Sequence, residues 1–154
     1  MATQGFITKS ISKQLTQDNW HVVYTCIPNT PHINVVPIRT SSISSSQRYP
    51  DIVAYKGDQT LFVEVEIKLN SNVKDQMIER FQDYIDALKE KENWDIWRNQ
   101  LNTLTNYNLP SKFNPIALLI ICNNISDDNA TLINDLRQNK ILCFTASTFD
   151  ISVI

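Results

Sequence analysis

Apolar residues along this chain alternate between two spacings, and each change of spacing marks an element. Phe6, Ile7, Ile11 and Leu15 recur at close to helical intervals, which predicts a helix over 6–17. Residues 20–27 are rich in β-branched and aromatic side chains and read as a strand, stopped by Pro28. Two further runs of this kind, 52–55 and 61–68, flank a turn signal at Lys56-Gly57-Asp58-Gln59-Thr60 and predict an antiparallel hairpin. Val73, Met77, Phe81, Tyr84, Ile85 and Leu88 form one stripe, so an amphipathic helix is expected over 73–92. Trp94, Trp97, Leu101 and Leu104 continue at helical spacing and are read as packing on the domain's own core. The alternatives are a homodimer surface, because large aromatics are enriched in interface cores, and stacking of nucleic-acid bases on Trp94 or Trp97. The unbroken apolar run 115–122 suits a strand buried on both faces. Residues 127–138 predict another helix and 141–145 a last strand, while Val35, Val36 and Ile38 mark a small extra strand. The expected order is α-β-β-β-α, a further helical piece, then β-α-β, in a single domain spanning 1–154.

Within the hairpin, alternation sorts the side chains. Val63, Val65 and Ile67 point one way; Phe62, Glu64, Glu66 and Lys68 point the other. With Asp58-Gln59 at the tip, Asp51 faces Glu66. With Gly57-Asp58 there, as a type II′ turn favours, Asp51 faces Glu64. Both registers keep the acids and Lys68 on one face, whereas a three-residue loop would flip them apart. Opposed Cβ atoms lie about 5 Å apart, so two carboxylates can reach one cation. Clustered carboxylates stay ionised only with a compensating cation, and hard oxygen ligands suit Mg²⁺ or Mn²⁺. Such an ion polarises a phosphoryl oxygen and lowers the pKa of a bound water. Lys68, two residues from Glu66, is placed to orient that water or to stabilise transition-state charge. Acid–lysine alternation is also common on solvated hairpin faces; Asp51 at the opening of the partner strand sets this one apart.

Pro50-Asp51 and Glu66-Ile67-Lys68 resemble the two halves of the signature of the PD-(D/E)XK nuclease superfamily, whose restriction-endonuclease-like fold is a three-layer α/β/α domain with a mixed sheet on an α-β-β-β-α-β core. The resemblance covers about the first two thirds of the chain best, and the expected element order agrees with it, with an extra helix and a C-terminal strand. It implies a metal-dependent deoxyribonuclease acting on DNA. Asp51 and Glu66 would hold Mg²⁺ or Mn²⁺, the Ile67 backbone carbonyl would add a ligand, Glu64 would be a further metal ligand, and Lys68 would be catalytic. Many relatives place a glutamate on the first helix, where this chain offers Gln14 and Gln17. Exonuclease-like branches carry Gln-x-x-x-Tyr on the helix after the lysine, where this chain has Arg80-x-x-x-Tyr84 with Gln76 and Gln82 nearby. Gln14, Gln76 and Tyr84 are the auxiliary candidates that follow. The alternative is the same fold with a degenerate site, serving protein assembly or DNA binding.

Composition narrows this picture in a few places. A net charge of −2 over 154 residues is not the strongly basic profile of a constitutive nucleic-acid binder, so any DNA-facing surface must be local. The segment 28–49, with His32, Arg39 and Arg48, leads straight into Asp51 and is the candidate contact, set against plain flexibility. Arg80 is a further candidate for a phosphate, read alternatively as a solvated arginine on the polar face of its helix. Gly5 and Gly57 are the only glycines, which excludes P-loop and Rossmann chemistry. Cys26, Cys122 and Cys143 form no C-x-x-C and read as buried reduced thiols. His21 and His32 are too isolated to suggest zinc or a His-based catalytic pair. The run 116–122 is too short to span a membrane and no signal peptide is visible, so a cytoplasmic protein is expected.

Overall fold

The computed structural model describes residues 3–39 and 47–154 of the chain. Helix α1 (Gln4–Gln17) begins where the Thr3 hydroxyl accepts a hydrogen bond from the Phe6 amide at 3.1 Å, a side-chain cap on an otherwise unpaired helix amide. Strand β1 (His21–Thr25) follows, then the short strands β2 (Ile38–Arg39) and β3 (Gln47–Arg48), which pair antiparallel with each other. The predicted hairpin is β4 (Ile52–Lys56) and β5 (Gln59–Glu66). Helices α2 (Ser71–Leu88) and α3 (Lys91–Thr105) lead to β6 (Pro115–Ile121), and α4 (Ala130–Gln138) leads to β7 (Ile141–Thr145).

Five of these strands form one mixed sheet in the order β1-β4-β5-β6-β7. The β1–β4 and β4–β5 pairs are antiparallel; β5–β6 and β6–β7 are parallel. A parallel neighbour requires a crossover, which is why helices fill the chain on either side of β6. Helices cover both faces of the sheet. On one, Ile7, Ile11 and Leu15 of α1 pack on Ile52, Leu61, Val63, Val65, Leu118 and Ile120. On the other, Met77, Phe81, Tyr84, Trp94, Trp97 and Leu136 pack on Val53, Phe62, Leu119 and Ile121. β6 supplies apolar side chains to both cores, as its unbroken run implies.

Several expectations shift in detail. β5 ends at Glu66, so Ile67 and Lys68 lie past the strand. The helix expected over 73–92 starts at Ser71, where the Asn70 side chain accepts from the Val73 amide at 2.8 Å, and it stops at Leu88. A separate helix then begins at Lys91, with no glycine or proline to announce the break. Trp94, Trp97 and Leu101 are buried in the domain's own core, so neither tryptophan offers its ring to a second copy or to a base; Leu104 is 51% exposed. The extra strand is Ile38–Arg39, with Val35 and Val36 before it rather than in it. Residues 40–46 of the candidate contact segment lie outside the described residues. Part of what is described of that segment is held, with Ile38 buried and Trp97 Nε1 donating to the Val36 carbonyl at 2.8 Å, while residues 28–34 are exposed. The three cysteines are free, with Cys26 and Cys143 buried and Cys122 half-buried. Among the described residues no helix is long and apolar enough to cross a membrane.

Candidate active site

Gly57 decides which acids meet. Lys56 pairs with Gln59, so Gly57-Asp58 is the two-residue tip. Gly57 has φ +60° and Asp58 does not share that sign, the pattern of a type II′ turn. Ile52 therefore opposes Val63, and one step further Asp51 opposes Glu64 rather than Glu66. Asp51 is fixed from two sides. Its Oδ2 accepts from the Val65 amide at 2.8 Å, and its carbonyl accepts from the Cys26 amide at 2.7 Å.

The face that carries these acids is not solvated, because α2 lies over it. Glu64 is 2% exposed. Its carboxyl lies within hydrogen-bond reach of that of Asp51, a contact that raises Glu64 and lowers Asp51. The Tyr84 hydroxyl donates to Glu64 Oε1 at 2.6 Å, and Arg80 Nη1 lies 3.5 Å from Glu64 Oε2. Arg80 and Tyr84 are one turn apart on α2, so both face the same strand position. Arg80 is thus an internal partner of the acids and not a solvated arginine of the polar face. Burial pushes Glu64 well above the usual carboxylate value, and Asp51 adds to the rise against the pull of Arg80 and Tyr84. Burial also raises Asp51, opposed by the Val65 amide, the hydrogen-bond contact with Glu64, Arg80 and His32.

Glu66 points to the same face about 7 Å further along the strand. It is half-buried and raised by burial and by Asp51, with Arg80 opposing. Lys68 lies beyond the end of β5, exposed, with no ion pair among the described residues. The Ile67 carbonyl accepts from the Asn123 amide at 2.9 Å, which leaves one lone pair for any further partner.

The outlying candidates are spread more widely. Gln14 is ten residues, about 15 Å, along α1 from the helix start. The α1 side chain that reaches the hairpin is instead Gln4, whose Nε2 donates to the Val65 carbonyl at 2.6 Å. Gln76 is exposed one turn before Arg80 on α2. Arg48 Nη1 lies 3.9 Å from Asp83. Arg39 borders a groove of about 1080 Å³ with Ile96, Trp97 and Leu104, and none of the acids lines it. Three residues near the acids carry no functional signal in the sequence, Gln4, Tyr24 and Cys26, and a fourth, His32, is visible there only as part of the segment leading into Asp51. Burial, Asp51 and Glu64 push the Cys26 thiol up to about 12. His32 is close enough to lower Asp51, and its Nδ1 lies 3.1 Å from the Tyr49 hydroxyl.

Three carboxyl groups thus share one guanidinium. As the side chains stand, no three His, Cys, Asp or Glu among the described residues gather tightly enough to hold a metal ion. The donors are nevertheless all hard oxygens, the set that Mg²⁺ or Mn²⁺ takes. The Tyr24 hydroxyl, buried on this face, has no hydrogen-bond partner among the described residues. Excess acid, oxygen donors and an orphaned hydroxyl fit a small divalent cation at Asp51 and Glu64. No family model, no curated protein and no solved structure matches this chain.

Proposed function

We propose that this chain is a metal-dependent deoxyribonuclease with a restriction-endonuclease-like fold, related to the PD-(D/E)XK nucleases. One observation carries the reading: Asp51 and Glu64 lie within hydrogen-bond reach of each other beneath α2, with Glu66 next on the same face and the Arg80 guanidinium 3.5 Å from Glu64. With the separate β2–β3 pair and the second helix α3 set aside, the order along the main sheet reads α-β-β-β-α-β, with an antiparallel hairpin bearing the acids and a parallel strand beyond it, which supports a core of that family's kind.

In this reading Asp51 and Glu64 hold the cation, and Glu66 supplies a further carboxylate to it or accepts a proton from water. The cation, once bound, supplies Lewis-acid polarisation of a phosphate and a more acidic water. Tyr84 and the Val65 amide hold the two carboxylates in place, and Arg80 balances charge that the acids would otherwise carry alone. Lys68, exposed just past the end of β5, would stabilise the charge of an incoming phosphate. This departs from a simple match to the signature. Glu64, not Glu66, faces Asp51, so Lys68 stands four residues, not two, beyond the acid opposite Asp51.

A second reading has its own observation. Arg80 already neutralises Glu64, which is what a degenerate, non-catalytic module of this fold would use to survive without metal. Cleavage of plasmid and linear DNA with Mg²⁺ or Mn²⁺ separates the two. Metal-dependent cleavage by the wild type that is lost in Asp51→Ala, Glu64→Gln and Lys68→Ala supports the nuclease. No cleavage, together with no thermal stabilisation by either ion, rejects it in favour of the module.

A further inference from the structure

Beside the acids the buried Tyr24 hydroxyl has no hydrogen-bond partner among the described residues, and an irregularity in β1 explains how it got there. His21 and Val22 pair with Tyr55 and Ala54, yet two residues later Tyr24 and Thr25 pair with Val53 and Ile52. One extra residue has been inserted at Val23, a β-bulge. Val22 packs toward the α1 side of the sheet, while Val23 and Tyr24 both belong to the core under α2. Regular alternation from Val22 would have turned Tyr24 and Cys26 toward α1. The bulge turns both to the acid face, the re-aiming for which bulges beside active sites are known. Past it the ladder resumes, with the Cys26 amide on the Asp51 carbonyl at 2.7 Å.

Tyr24 is 4% exposed, and its hydroxyl is buried with no hydrogen-bond partner among the described residues. Cys26, Glu64 and Asp51 are the groups that act on it most strongly after burial itself. Leaving a buried hydroxyl unpaired costs about 1–3 kcal/mol, and phenylalanine would fill the same space without that loss. Tyr84, the tyrosine that α2 brings to the acids, already donates to Glu64. The fold therefore spends an irregular strand on aiming a donor that the free protein does not use.

We infer that Tyr24 is a positioning residue for the cation-bound form of the site, its hydroxyl donating to the carboxylate oxygens of Asp51 and Glu64 when these turn to a divalent cation. The inference rests on the cation reading above. Carboxylate ligands are themselves held by hydrogen bonds, and removing such a support lowers metal affinity by about 10- to 100-fold. In the free protein Asp51 has the Val65 amide and Glu64 has Tyr84; Tyr24 is the donor in reserve.

The test is Tyr24→Phe, an isosteric change, followed by Mn²⁺ titration through calorimetry and thermal shift, with Tyr84→Phe in parallel. The expected result is a free protein at least as stable as wild type whose Mn²⁺ affinity falls 10- to 100-fold. Tyr84→Phe should instead lower both, since its hydroxyl already works in the free state. Equal Mn²⁺ affinity in wild type and Tyr24→Phe overturns the inference and leaves the cation site standing. A destabilised free Tyr24→Phe protein also overturns it, because the hydroxyl would then already have a structural partner. Absence of Mn²⁺ binding in the wild type removes the cation reading, and this inference with it.

Discussion

Tyr84 hands its hydroxyl proton toward Glu64 Oε1 at 2.6 Å, and from one turn earlier on the same helix Arg80 reaches the other oxygen at 3.5 Å. A strand residue that the sequence pattern would leave facing water is thus enclosed by a helix that brings its own donors. The acid is kept in the core by α2, and α2 is kept in register on the sheet by the acid.

Tyr84→Phe should lower stability by about 1–3 kcal/mol, because it strips a donor from a buried acceptor and changes little else. The ring contacts to Phe62 and Phe81 survive the change. Urea denaturation monitored by tryptophan fluorescence measures the difference; an unchanged midpoint would mean that Glu64 finds another donor.

Arg80→Ala should destabilise the free protein by about 1–3 kcal/mol at neutral pH, between the values for exposed and buried pairs because the guanidinium is partly exposed. The loss should shrink at lower pH, where the acids take up protons, and should also shrink with added Mn²⁺. Melting temperatures at two pH values, with and without the ion, check both dependences. A loss equal under all four conditions would assign Arg80 a packing role instead.

The acids themselves make stability depend on pH in a stated direction. Glu64, Asp51 and Glu66 are all raised, chiefly by burial. In the range between the ordinary carboxylate value and each raised one, the folded state binds more protons than the unfolded chain, so their contribution to stability falls as pH rises. Asp95 and Asp150, lowered by their hydrogen-bond partners, act in the opposite sense at more acidic pH. The wild type should therefore lose stability relative to Glu64→Gln as the pH is raised above the ordinary carboxylate range. Parallel slopes for the two proteins would contradict the raised value of Glu64.

Lys68→Ala separates chemistry from folding. The side chain is exposed and unpaired among the described residues, so stability should stay within about 0.5 kcal/mol of wild type. Cleavage should fall by on the order of 100-fold or more, as when one charge-stabilising group is removed from a transition state. Both are read from the same preparation by thermal shift and a plasmid assay.

Much of the fold was legible because its elements obey simple periods. The hairpin, the two-sided strand β6 and the stripes of α2 and α3 follow from alternation and from 3.6-residue spacing. The end of α2 was not legible: the apolar stripe runs from Leu88 into Trp94 with no glycine or proline between, and only tertiary packing interrupts it. At the site, Asp51, Glu64, Glu66 and Lys68 were visible as candidates, but the choice of partner depended on Gly57. The burial of Glu64 could not be read, since polar alternation in a strand ordinarily means water on that face, and here the facing helix carries Arg80 and Tyr84. Tyr24 was hidden for another reason: a bulge carries no composition signal, and one extra residue reverses every side chain after it.

Trp97→Phe tests how the segment before Asp51 is held. The change keeps an aromatic ring in the core but removes the 2.8 Å hydrogen bond to the Val36 carbonyl. Limited proteolysis should cleave within 28–49 faster than in wild type, with a modest loss of global stability of about 1 kcal/mol. Identical cleavage rates would show that the burial of Ile38 alone secures the segment.

The two strands that carry Asp51 and Glu64 are joined by a two-residue turn, whereas the strand and helix that enclose them come from further along the chain. Hairpins close in about 1–10 μs, and contacts across longer stretches of chain form more slowly. The carboxylates consequently meet while water still surrounds them, and their repulsion is felt in full only when α2 docks. Docking of α2 brings Arg80 to the acids and at the same time buries them, so the refolding rate, and not only the final stability, should respond to the protons or cations available to share that load.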